Sequence, residues 1–320
     1  MLVASIGTYI FYSDKTFSEM QNYNRFMHYD EFPSEEAILK HANKSEILVT
    51  WGKITKNILE EISTLKLIII MSTGFEEVLD KSISEIYCKE RDINICYTPG
   101  YSTEAVAEYT YSALRAASRK LFLDKNVILN ELSLDDLRTK PFSQMSIGIL
   151  GMGNIGQELA KYCINAGANI LYYTRNKESK SHISVLKTAR FVNLEQLFSS
   201  SDAVAITCQL NDKTKCMVGR NLLELMADDG IVVNSARPEI FNLNELEEVL
   251  TKKPLMQLII DDKLPDTKAG LSLKSNNNVV LSPHIAFNTL ESLIKCTDTV
   301  AHIVKEYKKG NIIHNIFMDD

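Results

Sequence analysis

The hexapeptide Gly151-Met152-Gly153-Asn154-Ile155-Gly156 has the residue types and the spacing to seat a pyrophosphate. Glycine at the first position permits a tight turn, at the third it lets an anion approach bare backbone, and at the sixth it lets a helix pack closely on a strand. That chemistry requires a strand before the turn and a helix after it. Residues 145–150 form a short apolar run that reads as a buried parallel strand. Residues 157–166 read as a helix with Leu159, Ala160, Cys163 and Ile164 toward one face, whose N-terminus offers unpaired N–H groups to an anion. The segment is read as a dinucleotide site, with an ordinary glycine turn as the alternative.

The elements that must position such a site follow a βα rhythm. Strands are expected at 2–6, 47–50, 67–71 and 93–97, with helices at 34–43, 54–62 and 83–89. Thr98-Pro99-Gly100-Tyr101-Ser102-Thr103 is a turn-rich crossing, and Ser102 or Thr103 can cap a long helix to about residue 121. A short apolar run at 126–129 and an amphipathic piece at 134–139 lead into the glycine-rich unit. Beyond it, strands are expected at 170–173, 203–207, 231–234, 255–260 and 279–282, with helices at 194–199, 220–226 and 243–251. A last helix at about 290–308 is long enough to return to the first domain. The fold class is therefore α/β with two Rossmann-like domains. A discontinuous outer domain (1–100 plus 290–320) surrounds an inserted, doubly wound nucleotide domain (101–289).

Composition narrows the classes. The 320 residues can bury two cores, and 45% hydrophobic with 24% charged residues is ordinary for a globular protein. A formal charge of −6, with no basic cluster interleaved with aromatics, argues against a nucleic-acid surface. The six cysteines lack metal-site spacing and lie mostly in apolar stretches, so reduced packing cysteines and no metal are expected. The apolar start lacks a basic leader and reads as a first strand, and no run reaches membrane-spanning length. A cytoplasmic protein with no membrane partner is the expectation.

Four further stretches, in order, resemble the NAD(P)-dependent D-2-hydroxyacid dehydrogenase family. Ser72-Thr73-Gly74-Phe75 looks like its substrate loop, and the run from Pro99 to Glu108 looks like its domain-crossing segment. Asn234-Ser235-Ala236-Arg237 resembles the segment with the catalytic arginine, and Ser282-Pro283-His284-Ile285-Ala286 the one with the catalytic histidine. The resemblance implies hydride transfer between nicotinamide and the C2 of a 2-oxo or D-2-hydroxy acid. It makes Arg237 the carboxylate anchor, His284 the general acid, and the backbone of Thr73 and Gly74 a second set of carboxylate donors. The chemistry fits these residue types, since a guanidinium fork matches a carboxylate and an imidazole titrates near neutral pH. The implied cofactor contacts are Gly151, Gly153, Asn154, Ile155, Gly156, Thr174, Arg175, Cys208, Ala236 and Asp261. For Asp261 a capping or turn carboxylate is the other reading. Trp51 and Phe75 are placed either along an apolar side of the substrate site or, for Trp51, in the core.

The sequence also departs from the family. The glutamate that usually supports the histidine is missing from Asp261-Asp262-Lys263-Leu264-Pro265-Asp266. Aligning on the family aspartate puts Asp266 in its place, so Asp266 is the expected partner of His284 and Asp262 the fallback; aligning on the proline instead puts Leu264 there and leaves the histidine without a carboxylate. Pro238 replaces a usual glycine, and Phe241-Asn242 replaces a valine-aspartate pair, which could reshape the pocket wall. At the end of the second nucleotide-domain strand, Thr174 stands where the family usually has aspartate, followed by the bases Arg175 and Lys177. Loss of the acid and gain of positive charge favour NADP(H) over NAD(H). A homodimer formed through the nucleotide domain, with residues 122–137 contributing, is implied by the family. Two other classes remain: a cofactor-binding relative with weak or lost catalysis and a regulatory or structural role, and an oxidoreductase acting on a different carboxylate or oxyanion.

Overall fold

The computed structural model of the protein describes residues 1–23, 25–74, 78–79, 87–88, 90–123, 133–135, 137–175 and 188–317. The chain divides into two compact units, Met1–Ser102 with Asn288–Asp320, and Thr103–Phe287. Phe75, Lys177, His182, most of the helix expected at 83–89, the run at 126–129 and much of 122–137 lie outside the described residues.

The first unit is built on five parallel strands, β1 (Leu2–Ile6), β2 (Arg25–Tyr29), β3 (Ile47–Thr50), β4 (Leu67–Ile70) and β5 (Asn94–Tyr97), in the order β2-β1-β3-β4-β5. Strands β3 and β4 are buried at every position, as near-continuous apolar runs in a covered parallel sheet should be. Helices α1 (Asp14–Tyr23), α2 (Glu35–Ala42) and α3 (Lys56–Glu61) connect the strands. Ser34 and Thr55 cap α2 and α3 by accepting from Ala37 N and Ile58 N. Sequence periodicity does not announce β2 or α1. In β2 only Phe26 is fully buried, so this edge strand lacks the apolar run that marks its neighbours.

In the second unit seven parallel strands run in the order β12-β11-β10-β9-β6-β7-β8. They are β6 (Ser146–Leu150), β7 (Asn169–Tyr173), β8 (Ala189–Phe191), β9 (Ala203–Ile206), β10 (Ile231–Asn234), β11 (Gln257–Ile260) and β12 (Val279–Leu281). Helix α4 (Thr103–Ser118) precedes the sheet, and α5 (Asn154–Asn165) joins β6 to β7. Helices α6 (Leu194–Ser199), α7 (Arg220–Leu223), α8 (Leu243–Lys252) and α9 (Lys268–Lys274) complete this unit, and α10 (Leu290–Lys308) belongs to the first. Two apolar layers cover the sheet's faces. Ile147, Ile149, Leu159, Ala160 and Val233 lie in one, and Leu150, Phe198, Val204, Phe241 and Ile260 in the other. The order reverses around β6, whose neighbours are β7 and β9, and open α/β sheets place ligands at the carboxyl ends of such strands.

No helix of the described residues is long and apolar enough to cross a membrane. Among the described residues no cysteine forms a disulfide: Cys88, Cys96, Cys163 and Cys296 are buried, Cys208 is half-buried, and Cys216 is exposed.

Candidate active site

The turn between β6 and α5 is shaped by what its glycines leave out. Gly151 has φ +105°, and a Cβ there would sit 2.6 Å from the backbone nitrogen of Cys208. At Gly156 a Cβ would lie 2.1 Å from the carbonyl oxygen of Gly151, which already accepts from Thr207 Oγ1 at 2.7 Å. Both positions therefore require glycine for internal reasons. Gly153 does not. Its φ is an ordinary −76°, and no atom lies within 4 Å of where a Cβ would stand. Gly153 is also the N-cap of α5 and has no side chain to accept from the first-turn N–H groups of Asn154, Ile155 and Gly156. Open space over a bare backbone beside helix-terminal donors that no N-cap side chain accepts from suits a phosphate group.

The neighbouring strand end is tied to this turn, because Gly151 N donates to Tyr173 O at 2.9 Å. Thr174 and Arg175 follow at once, Thr174 half-buried and Arg175 exposed, with no acidic residue among residues 172–175. Burial pushes the Cys208 thiol up to about 11, against a backbone hydrogen bond and the Arg175 charge, which both pull it down.

Arg237 follows β10 in a loop organised by the buried side chain of Asn234. Its Oδ1 accepts from Ala236 N at 2.9 Å, and its Nδ2 donates to Arg237 O at 2.8 Å. Pro238 opens a single 3-10 turn, Pro238–Ile240, where its fixed φ is suitable and its missing N–H costs nothing. Phe241 is 1% exposed inside the core, and Asn242 caps α8 by accepting from Glu245 N. The expectation that Phe241-Asn242 reshapes a pocket wall is therefore corrected. These two residues pack and cap.

The loop after β12 is wrapped around one carboxylate. Asp261 is 3% exposed; its Oδ1 accepts from Ser282 Oγ at 2.6 Å and Ile285 N at 2.8 Å, and its Oδ2 from Ala286 N at 2.7 Å. Between these anchors His284 takes φ +58°, a left-handed conformation rare outside glycine. Asp261 is thus a clamp on the histidine loop.

His284 Nδ1 lies 3.2 Å from Asp262 Oδ2. Asp262 Oδ1 accepts from Lys263 N at 2.7 Å. Burial alone would raise the Asp262 carboxyl, but the His284 hydrogen bond, the Lys263 N–H and the charges of His284 and Arg237 bring it below the usual carboxylate value. Arg237 and His284 therefore act on the same carboxylate. Asp266 does not take part. Its Oδ1 pairs with Lys274 Nζ at 2.5 Å, and its side chain is 85% exposed. The expected Asp266 partnership is corrected to Asp262, because β11 ends at Ile260 and Asp262 directly follows the clamped Asp261.

In the first unit, Thr73 is exposed and Gly74 half-buried just beyond β4. Thr73 Oγ1 donates to Thr98 O at 3.4 Å, and Ser72 Oγ donates to Gly74 O. Trp51 is half-buried, donates Nε1–H to Thr8 O at 2.9 Å, and meets the exposed Phe32 edge-on with centroids 5.2 Å apart. Among the described residues no cluster of three His, Cys, Asp or Glu could hold a metal ion.

Residues 112–286 match the model of the D-isomer specific 2-hydroxyacid dehydrogenase NAD binding domain. The chain belongs to this family. A D-2-hydroxyacid dehydrogenase of this kind is an NAD(P)-binding oxidoreductase, and curated relatives match along most of the chain. A glyoxylate reductase of Thermococcus litoralis is 28% identical over 298 residues, covering 90% of this chain and 88% of its own. A hydroxypyruvate reductase of Thermotoga maritima is 28% identical over 269 residues, covering 82% and 84%. Among solved structures, an acyclic imino acid reductase in complex with NADPH and D-Arg superposes with TM-score 0.82 at 23% identity, over 99% of this chain and 100% of that one. A D-lactate dehydrogenase of Aquifex aeolicus complexed with NAD and lactic acid gives 0.78 at 22% identity, over 96% of each chain. These two likenesses carry the dehydrogenase fold.

Sequence reasoning assigned no role to Asn234, Tyr109 or Ser282. Tyr109 OH lies 2.5 Å from Ser282 Oγ. The signal for Ser282 was its place two residues before His284, whereas a tyrosine on an amphipathic helix carries none.

Proposed function

We propose that this dehydrogenase reduces a small 2-oxo acid to the D-2-hydroxy acid and prefers NADPH. The single observation that carries the reading is the Asp262–His284 pair, held by the Asp261 clamp, with the Arg237 charge acting on the same carboxylate. Gly151, Gly153 and Gly156, with the N–H groups of Asn154, Ile155 and Gly156, would hold the cofactor pyrophosphate, flanked by Cys208. When bound, the nicotinamide supplies the hydride.

The residues of the chain do the rest. Arg237 orients the substrate carboxylate through its planar fork. His284 donates a proton from Nε2 to the carbonyl oxygen as C2 becomes tetrahedral. Asp262 accepts from Nδ1–H, which fixes the tautomer and stabilises the imidazolium before transfer. In the reverse direction His284 takes the hydroxyl proton. The relatives named glyoxylate reductase and hydroxypyruvate reductase support a short 2-oxo acid as substrate. The NADPH preference rests on Thr174, which offers a hydroxyl and no negative charge, and on Arg175 beside the turn. A homodimer is part of the same reading.

Titrating NADPH and NADH, followed by turnover with glyoxylate, hydroxypyruvate, pyruvate and branched or aromatic 2-oxo acids, tests it. Tighter NADPH binding and turnover of at least one acid are expected, and Arg175→Ala should weaken NADPH by about tenfold with NADH unchanged. Equal or tighter NADH binding would remove the cofactor preference. Saturable cofactor binding without reduction of any 2-oxo acid would overturn the catalytic reading.

A further inference from the structure

Two adjacent residues of α4 touch both loops that carry the proposed chemistry. Tyr109 OH is 2.5 Å from Ser282 Oγ, at the start of the His284 loop. Thr110 Oγ1 is 2.8 Å from Ser235 Oγ, in the segment that leads into Arg237. Thr110 is fully buried and its Oγ1 also lies 2.7 Å from Val106 O, so its single proton is shared between Val106 O and Ser235 Oγ, and the two contacts fix its rotamer on the helix.

The direction of the first contact follows from proton counting. Ser282 Oγ has one proton and gives it to Asp261 Oδ1 at 2.6 Å, an acceptor when ionised. Tyr109 must therefore donate to Ser282 Oγ. Burial raises the Tyr109 phenol, the Ser282 bond opposes that and the Asp261 charge reinforces it, so the hydroxyl keeps its proton. The chain of donors runs from α4 through Ser282 to Asp261, whose oxygens hold Ile285 N and Ala286 N and with them the left-handed backbone of His284. Asp261 N also donates to Asn234 O at 3.0 Å, so the histidine clamp and the arginine loop share a backbone joint.

We propose that Tyr109 and Thr110 are positioning residues: Tyr109 holds His284 for proton transfer through Ser282 and Asp261, and Thr110 holds Arg237 for carboxylate binding through Ser235. The inference rests on the roles proposed for His284 and Arg237, and goes beyond them by assigning one helix turn the task of keeping the two in register. It makes unlike predictions for neighbours on one helix. Tyr109→Phe removes a hydroxyl from the proton-donor side, and Thr110→Val removes one from the carboxylate side with little change in volume.

The test is steady-state reduction of the best 2-oxo acid by Tyr109→Phe, Thr110→Val, Thr110→Ser and His284→Ala, with NADPH affinity and melting temperature measured on each. Tyr109→Phe should lower kcat by about tenfold with KM for the acid nearly unchanged, and Thr110→Val should raise that KM by about tenfold with a smaller change in kcat. Thr110→Ser, which keeps the hydroxyl, should restore KM. NADPH affinity should stay within about twofold throughout, since among the described residues neither side chain hydrogen-bonds to the glycine-rich turn. Unchanged kinetics in both variants, or equal losses in kcat, cofactor affinity and melting temperature, would overturn the proposal while an inactive His284→Ala leaves the site reading standing. A fully active His284→Ala would overturn the site reading, and this inference with it.

Discussion

Two loops leave the carboxyl ends of the same sheet and are built by opposite means. The β6–α5 turn is defined by missing side chains: Gly151 and Gly156 let backbone meet backbone, and Gly153 leaves space that nothing in the chain fills. The loop after β12 is defined by one side chain, Asp261, which collects a hydroxyl and two N–H groups and forces His284 into a left-handed conformation. The first arrangement can be recognised from residue types at fixed spacing, since it depends on geometry that only glycine allows. The second depends on which of several carboxylates turns inward, and neighbouring aspartates look alike in sequence. A glycine turn can thus be generic while the histidine loop on the same sheet is particular to the chain.

The contrast can be broken most directly at the glycines. Gly153→Val should still fold, at the modest cost of a poorer N-cap, because its Cβ enters open space at an ordinary φ, yet it should lose cofactor affinity by about tenfold to a hundredfold as phosphate hydrogen bonds are displaced. Gly156→Ala should do the reverse first. Its Cβ overlaps Gly151 O, and the strain should cost about 1–3 kcal/mol of stability, read as a lower urea midpoint. If Gly153→Val bound NADPH normally, the space over Gly153 would not be a phosphate seat.

A smaller effect sharpens the other side of the comparison. The Asp262 carboxyl lies below its ordinary value in the folded protein, so its contribution to stability is complete above the unfolded carboxylate pKa and is lost as pH falls through the folded one. Between about pH 5 and pH 3 the wild type should therefore lose part of the stability advantage it holds over Asp262→Asn at neutral pH. Urea melts of both proteins across that range measure it. A constant difference would show that the Asp262–His284 bond does not couple ionisation to folding.

Much of the architecture was legible because buried parallel strands announce themselves. Residues 67–70 (Leu-Ile-Ile-Ile) and 231–234 (Ile-Val-Val-Asn) become β4 and β10, each fully buried. Strand β2 was not legible, since Arg25, Met27, His28 and Tyr29 are not fully buried on its edge and leave no apolar run. Strand β8 was missed for a similar reason, with three residues and none of them fully buried. Helix α9 begins at a capping Thr267 but has only seven residues, with Gly270 among them, too few to show a period.

At the candidate site, the proposed roles of Arg237 and His284 were suggested by short motifs. The histidine's partner was not, because counting residues from the family aspartate assumes the same path after β11. Here the chain carries Asp266 out to Lys274 and leaves Asp262 facing the imidazole. Pro238 looked like a disruption and instead opens a turn that needs no N–H.

The account stands or falls on which aspartate serves His284, and kcat for 2-oxo acid reduction in Asp262→Asn and Asp266→Asn tests that choice directly. Asp262→Asn should lose tenfold or more, about the worth of a charge-assisted hydrogen bond, and Asp266→Asn should stay within about twofold of the wild type. A crippled Asp266→Asn beside a fully active Asp262→Asn would contradict it.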